Sequence, residues 1–302
     1  MMYVILAGAI VMNTIYNSIN NHVGKTRLSG TAGRFLYLTF VFAAGAVVTL
    51  GFMAAGGQGM SAYTLAMGTI FGVCHVAATV MLVRALSIGP MALVNLMVAC
   101  SMLLPTFSGM LIWSETVAGP QWVGVALMVV SLILCANVFG GSASHVTGIG
   151  RRWVAVSLCT AVLAGGLGVI QKIFQSSAYT GEVAGFLAVS FVVSAAGAFL
   201  AWRACAKRGG ATAVTPGLSW SFVAITVGAG VLVGALNHVN LYLIGALPAV
   251  LFFPVCSGGV ILCSAVVGRA LFKEKMSRAQ WLGFAFGVAA ILLLGNVAEL
   301  FS

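Results

Sequence analysis

The chain alternates between long apolar runs and short polar connections over its whole length. Of its 302 residues, 61% are hydrophobic and only 6% are charged. A soluble domain cannot keep so much apolar surface away from water. Runs of about 20 apolar residues also have the length of a membrane-spanning helix. The sequence therefore predicts an all-α integral membrane protein.

Ten apolar runs are found, and each is predicted to be a transmembrane helix. The connections between them are short, so consecutive helices are expected to be antiparallel neighbours. The first run has no basic segment before it and is expected to be a retained span rather than a signal peptide. The predicted spans are 2–20, 33–55, 63–87, 90–113, 121–139, 153–176, 182–204, 218–244, 248–270 and 280–298.

Basic residues lie almost entirely in alternate connections. Thirteen of the 14 Lys and Arg residues flank odd-numbered loops, and the exception is Lys172 in the sixth span. By the positive-inside rule these loops are cytoplasmic and both termini lie outside. The net charge of +10 is thus interpreted as a signal of topology in a multi-pass protein of the cytoplasmic membrane. No nucleic-acid partner is expected.

The chain also contains an internal repeat. Residues 114–137 and 273–296 align without a gap at an offset of 159, which matches Glu115 with Glu274. Five helices per copy is an odd number, so the second copy is expected to enter the membrane in the opposite direction. Inverted repeats of this kind are typical of secondary transporters, whose substrate site lies near the bilayer midplane. The predicted organisation is a first five-helix repeat, a cytoplasmic linker and a second five-helix repeat, at 1–140, 141–152 and 153–302.

Each half combines a span started by proline ("GPMA" and "LPAV"), a loop that bears a glutamate and a "QWxG" helix. This doubled arrangement resembles the drug/metabolite transporter superfamily, in its ten-helix EamA-type branch. The resemblance covers nearly the whole chain and is clearest at 84–137 and 244–296. It implies the transport of small organic solutes such as amino acids, nucleotide sugars, cations, vitamins or drugs.

Two features depart from that family. Well-known bacterial members have a cytoplasmic N-terminus, whereas the charge distribution here predicts an external one. The small four-helix multidrug branch has a buried glutamate in its first helix, and the alignment places Asn13 at that position. A carboxamide cannot titrate, so the usual proton-coupled export of drug cations is not expected.

The first helix carries a polar stripe, because Asn13, Tyr16, Asn17 and Asn20 follow the spacing i, i+3, i+4 and i+7. Polar groups inside a membrane face a cavity or a partner rather than lipid. Asn13, Tyr16 and Asn17 are predicted to contact substrate, and hydrogen bonding between helices is the alternative. Asn20 and Asn21 are interpreted as markers of the membrane boundary.

His75 and His238 each share a helix face with glycines, which admit either another helix or a ligand. Both are predicted to line the substrate site or to relay protons. The alternative is a neutral histidine that is satisfied across a helix interface. Asn237, beside His238, and Asn95, in the fourth span, are predicted to line the same cavity. The full set of predicted substrate-binding residues is Asn13, Tyr16, Asn17, His75, Asn95, Asn237 and His238.

Other polar residues receive structural interpretations. Lys172 is expected to extend to the outer interface, and contact with an anionic substrate is the alternative. Glu115 and Glu274 lie in predicted loops and are not expected to carry chemistry. The segment Pro254–Gly259 is interpreted either as a helix kink or as a site of tight packing. No cofactor or metal site is expected, because no group of His, Glu or Cys has ligand spacing.

These patterns favour a secondary transporter that moves a small, neutral or zwitterionic metabolite by alternating access. The alternative is an exporter of cationic or amphipathic drugs. An enzyme is not expected, since the chain has no Asp and no catalytic cluster. The expected partners are a small-molecule substrate and the lipid bilayer, with the chain as a monomer or homodimer. The direction of transport and its coupling to protons, exchange or facilitated diffusion are left open.

Overall fold

The computed structural model describes residues 2–26, 30–57, 59–88, 98, 100–115, 119–135, 151–209, 219–272 and 278–294. These residues form ten α-helices and one 3-10 helix at Thr180–Glu182, and no strand occurs among them. The helices are α1 Met2–Thr26, α2 Gly30–Ala55, α3 Ala62–Ile88, α4 Leu103–Ile112, α5 Gly119–Cys135, α6 Arg151–Gln175, α7 Val183–Gly209, α8 Trp220–Ala246, α9 Ala249–Phe272 and α10 Arg278–Leu294.

Six of these helices, α1, α2, α3, α6, α7 and α8, are long and apolar enough to cross a membrane. The other four contain apolar stretches of 10–17 residues. Each of the ten predicted spans overlaps one helix. The all-helical architecture is therefore confirmed, and six helices are compatible with a multi-pass membrane protein, while the count of ten spans stays a prediction.

The helices pack into two compact units, and each unit contains segments from both halves of the sequence. Unit 1 is Met1–Val11, Met81–Lys172 and Leu243–Ser302, and unit 2 is Met12–Val80 and Ile173–Tyr242. Compact packing therefore does not follow the boundaries predicted for the sequence repeats. Those boundaries describe the order of the chain and stay a prediction.

Unit 2 is held together by close helix contacts at glycines. In addition to the packing of α2 along α7, α3 approaches α7 so closely that a Cβ built on Gly72 would lie 2.7 Å from the Cβ of Val193. On α8, Gly230 contacts Ala44 of α2. A Cβ built on Gly234 would lie 3.2 Å from the backbone oxygen of Gly45, which is also in α2. The glycines on these two faces therefore serve close helix approach.

Unit 1 is built around the packing of α5 along α10, with α9 against α4, α5 and α10. The Ser131 hydroxyl donates a hydrogen bond of 2.6 Å to the backbone oxygen of Gly283, which joins α5 to α10. Pro254 lies inside α9, which continues without interruption to Phe272. Gly258 packs directly against Met128. The structure thus favours the tight-packing interpretation of this segment.

Candidate functional site

The polar stripe of α1 is tied to α2 through Asn20. The Tyr37 hydroxyl donates a hydrogen bond of 2.8 Å to Oδ1 of Asn20, and Tyr16 is hydrogen-bonded to the same side chain. Tyr37 is 3% exposed, and its ring centroid lies 6.3 Å from that of Phe222. Asn20 therefore joins two helices, which is the hydrogen bonding between helices named as the alternative for this stripe, and its interpretation as a marker of the membrane boundary stays a prediction.

The remainder of the stripe lies deeper along α1. Asn13 and Tyr16 are half-buried and Asn17 is exposed. Within the described ranges, no hydrogen bond reaches the side chain of Asn13 or Asn17. Asn13 precedes Asn20 by seven residues, which corresponds to about 10 Å along a helix axis. Of the predicted contact residues, Asn13 thus keeps its carboxamide available at the depth of the middle of α2, whereas the Tyr16 hydroxyl is bonded to Asn20.

His75 lies between α3 and α7. Its Nδ1 is 3.1 Å from the Ser194 hydroxyl oxygen, and its ring centroid lies 4.9 Å from that of Phe42 and 5.9 Å from that of Phe71. The sequence analysis did not single out Ser194. The sequence did contain a feature that could have identified Ser194. Ser190 and Ser194 are four residues apart, so they lie on one face of an apolar helix, and both are buried.

His238 lies on α8, and only one of its two ring nitrogens is hydrogen-bonded among the described residues. Its Nδ1 lies 3.0 Å from the backbone oxygen of Gly234, and its ring centroid is 4.7 Å from that of Phe52. Its Nε2 is buried and has no hydrogen-bond partner in the part of the chain that the structure describes. The neighbouring Asn237 differs, because its amide donates a hydrogen bond of 2.9 Å to the Val233 oxygen of its own helix.

The predicted site residues lie at different levels along α2. Three aromatic residues of α2 each contact one of these polar residues and so define its position along the helix. Tyr37 contacts Asn20, Phe42 contacts His75 and Phe52 contacts His238. These aromatic residues are separated by five and ten positions, or about 7 and 15 Å along the helix. By the same measure, Asn13 and His75 lie at a similar depth, whereas His238 lies farther along. Asn95 falls outside the described residues.

Unit 1 contains a buried ion pair that the sequence analysis did not predict. Lys172 is 8% exposed, and its Nζ lies 3.1 Å from Oε1 of Glu115. The same Nζ donates hydrogen bonds to the backbone oxygens of Ile244 and Leu247, at 3.2 and 3.3 Å, and lies 6.0 Å from the ring centroid of Trp113. The expectation that Lys172 extends to the outer interface is therefore wrong, because a buried ammonium group requires these partners.

The end of α4 delivers Glu115 to this position. The backbone of Ser114 has a left-handed φ of 52°, and the Glu115 amide donates a hydrogen bond of 3.2 Å to the Gly109 oxygen. The chain thus folds back over the end of its own helix, as in other left-handed helix caps. Oε2 of Glu115 then accepts a hydrogen bond of 3.2 Å from the amide of Val250, in the first turn of α9. A carboxylate at a helix N-terminus is favoured electrostatically.

Among the described residues, no group of three or more His, Cys, Asp or Glu side chains is arranged to hold a metal ion. The predicted site residues in unit 2 carry carboxamide, phenol and imidazole groups. Such groups bind small polar molecules by hydrogen bonding within an apolar surround.

Comparison with known proteins gives the fold but no function. No family model matches the chain. An uncharacterized protein of Haemophilus influenzae is 28% identical over 203 residues, which are 64% of this chain and 62% of the relative. The chain therefore matches less than two thirds of that relative's length. One solved crystal structure is similar with a TM-score of 0.72 at 17% identity, covering 98% of each chain. At that identity, the likeness shows a shared fold alone.

Proposed function

We propose that the protein is a secondary transporter that moves a small, neutral or zwitterionic organic metabolite across the cytoplasmic membrane by alternating access. It would belong with the ten-helix drug/metabolite transporters, with both termini outside. The observation that carries the proposal is a correspondence between helices of the two halves of the chain. Inverted repeats that create such a correspondence are characteristic of transporters.

Two helices at equivalent places in the two halves carry the aligned sequence repeat. Residues 114–137 and 273–296 align at an offset of 159, and the described parts of α5 and α10 fall within these two stretches. This correspondence supports two copies of a five-helix unit.

Equivalent helices also pack in an exchanged pattern. Helix α2 packs along α7, and α5 packs along α10, so each pair joins the same element of the two copies. Within unit 2, α3 uses Gly68 and Gly72 against α7, while α8 uses Gly230 and Gly234 against α2. Reciprocal contacts of this kind are what a two-fold relation between copies produces. They support the inverted repeat and, with it, ten membrane spans.

The proposed substrate contacts are the neutral polar groups midway along unit 2, principally Asn13, Tyr16 and His75. Asn17, Asn95, Asn237 and His238 complete the proposed set. A carboxamide, a phenol and an imidazole in an apolar surround suit a neutral or zwitterionic solute better than a lipophilic cation. Glu115 does not supply the acid that a cation exporter requires, since its charge is paired with Lys172. This pairing argues against the alternative function.

The test is solute binding by purified protein, followed by transport. Thermal unfolding would be followed with a set of neutral and zwitterionic metabolites and, in parallel, with lipophilic cations. A bound solute raises the unfolding temperature because it stabilises the folded state. Asn13→Ala and His75→Ala are expected to abolish the rise. The control is Thr69→Val, which alters an exposed hydroxyl bonded to its own helix.

Uptake of a stabilising solute into proteoliposomes then tests transport itself. We expect uptake by the wild type and the control, and its loss in the two site variants. If only lipophilic cations stabilise the protein, the exporter function replaces the one proposed here. If a metabolite binds equally well to all variants, its site lies elsewhere in the chain.

A further inference from the structure

The hydrogen-bonding state of the His238 imidazole follows from its geometry. Nδ1 lies 3.0 Å from the backbone oxygen of Gly234, and a carbonyl oxygen can only accept. Nδ1 therefore carries a hydrogen. In the neutral ring the second nitrogen, Nε2, then has no hydrogen and presents a lone pair.

That lone pair is the unusual feature. Nε2 is buried, and no donor contacts it within the described part of the chain. Buried polar atoms are nearly always hydrogen-bonded, and an exception calls for an explanation. The adjacent Asn237 amide satisfies its donor within the helix, whereas Oδ1 of Asn240, two residues farther along α8, is likewise buried without a partner among the described residues.

The ring is fixed in this orientation. Its Nδ1 is bonded to Gly234, and Phe52 lies against it with a centroid distance of 4.7 Å and an interplanar angle of 49°. Gly234 itself is held against α2, where a Cβ would lie 3.2 Å from the oxygen of Gly45 and 3.3 Å from the Cβ of Val48. A rigid acceptor of this kind loses little conformational entropy when a donor binds to it.

We propose that Nε2 of His238 accepts a hydrogen bond from an N–H or O–H group of the transported solute. The inference rests on the proposed function and deepens it, because it selects solutes that carry an ammonium, amide or hydroxyl donor. Solutes whose donors are replaced by methyl groups are excluded, since they leave the buried acceptor unpaired. His238 would bind the donor group at its own level of unit 2, about 15 Å along α2 from the level of Asn13 and His75.

The tautomer can be tested without any ligand. Nitrogen-15 spectra of histidine-labelled protein in lipid, with the His238 signals assigned from His238→Phe, should show a protonated Nδ1 and an unprotonated Nε2. A protonated Nε2 with an unprotonated Nδ1 overturns the inference.

The donor preference can be tested with two matched pairs of probes. Glycine and ethanolamine have N–H donors. Glycine betaine is the trimethylated counterpart of glycine, and the methyl ether of choline is the fully methylated counterpart of ethanolamine, so neither carries an N–H or O–H donor. We expect at least one donor probe to shift the Nε2 resonance and to raise the unfolding temperature, and its methylated partner to do neither. His238→Phe, which keeps the ring packed on Phe52, should remove the response. His238→Gln, whose amide oxygen can replace Nε2, should keep part of it.

The control is Thr69→Val, which alters an exposed hydroxyl bonded to its own helix and should leave the probe response intact. The inference is overturned if the methylated probes act equally, if His238→Phe responds like the wild type, or if no donor probe moves the Nε2 resonance. These outcomes are distinguishable from failure of the proposed function, because transport and its dependence on Asn13 and His75 are measured separately.

Discussion

Nζ of Lys172 lies 3.1 Å from Oε1 of Glu115, and the two side chains are only 10% and 14% exposed. Each partner also bonds the backbone on one side of the connection between α8 and α9. Lys172 donates to the Leu247 oxygen, and Glu115 accepts from the Val250 amide. The ends of helices leave such backbone groups without partners inside the helix. One ion pair therefore supplies hydrogen-bond partners to backbone groups at two consecutive helix ends.

Breaking this pair from one side should be costly. Lys172→Met leaves the Glu115 carboxylate buried without its counter-ion and should lower the free energy of unfolding by about 3–5 kcal/mol. The double variant Lys172→Met/Glu115→Gln should recover much of that loss, because no unpaired charge remains. Unfolding of all four proteins in mixed micelles measures the coupling. Strictly additive effects would show that the two side chains do not interact.

The contact between His75 and Ser194 should also be measurable. Ser194→Ala removes the hydroxyl from Nδ1 and should lower the free energy of unfolding by about 1 kcal/mol. His75→Asn places an amide nitrogen near the position of Nδ1 and should therefore be more stable than His75→Ala. The measurement is the unfolding midpoint of each variant. Equal stability of His75→Asn and His75→Ala would contradict this geometry.

The hydrogen bond from Tyr37 to Asn20 joins α1 to α2 and can be tested by a double-mutant cycle. Tyr37→Phe and Asn20→Ala should each destabilise the protein. Their coupling is expected to be about 0.6–1.7 kcal/mol, the range of hydrogen bonds between membrane helices. Tyr16→Phe serves as a comparison, since it changes the other phenol that is bonded to Asn20. A coupling of zero between Tyr37 and Asn20 would contradict the bond.

Glycine contacts between helices predict a contrast between two glycines of similar helical context. Gly72→Ala places a Cβ 2.7 Å from that of Val193 and should destabilise the protein by about 1–3 kcal/mol. Gly51→Ala meets nothing within 4 Å and should be neutral or stabilising by up to about 1 kcal/mol, because alanine favours the helix. The measurement is the thermal unfolding of both variants, compared with that of the wild type. A neutral Gly72→Ala would show that α3 and α7 do not approach so closely.

The helices were predictable from the sequence, because their apolar runs reflect the local requirement to face lipid. The small-residue faces of His75 and His238 were likewise readable from their spacing. The pairing of Lys172 with Glu115 was not predictable, since these residues are far apart in the chain. Lys172 lies in α6, and Glu115 follows the end of α4. A carboxylate in a predicted loop carries no local sign that the loop folds back into the protein. One signal did exist, in that Lys172 alone departed from the alternation of basic loops.

The bond between Asn20 and Tyr37 was not predictable for a related reason. Hydropathy shows only that an apolar run ends near Asn20. It does not show that the partner of Asn20, Tyr37, lies on the next helix. Likewise, periodicity placed Asn13 and Tyr16 on one face but gave no information on which helix faces them. Side-chain partners across helices depend on rotation about each axis, and apolar runs leave that rotation undetermined.

The contacts at Gly72 and Gly230 have an electrical consequence. At these points the backbone of one helix meets side chains of the next, with no room for a water molecule between them. A membrane potential of 100 mV is worth about 2.3 kcal/mol for each elementary charge that crosses, so a file of water along a helix interface would be a path for leaking protons. In a protein of the proposed function, the glycine faces of α3 and α8 would close that path at these contacts.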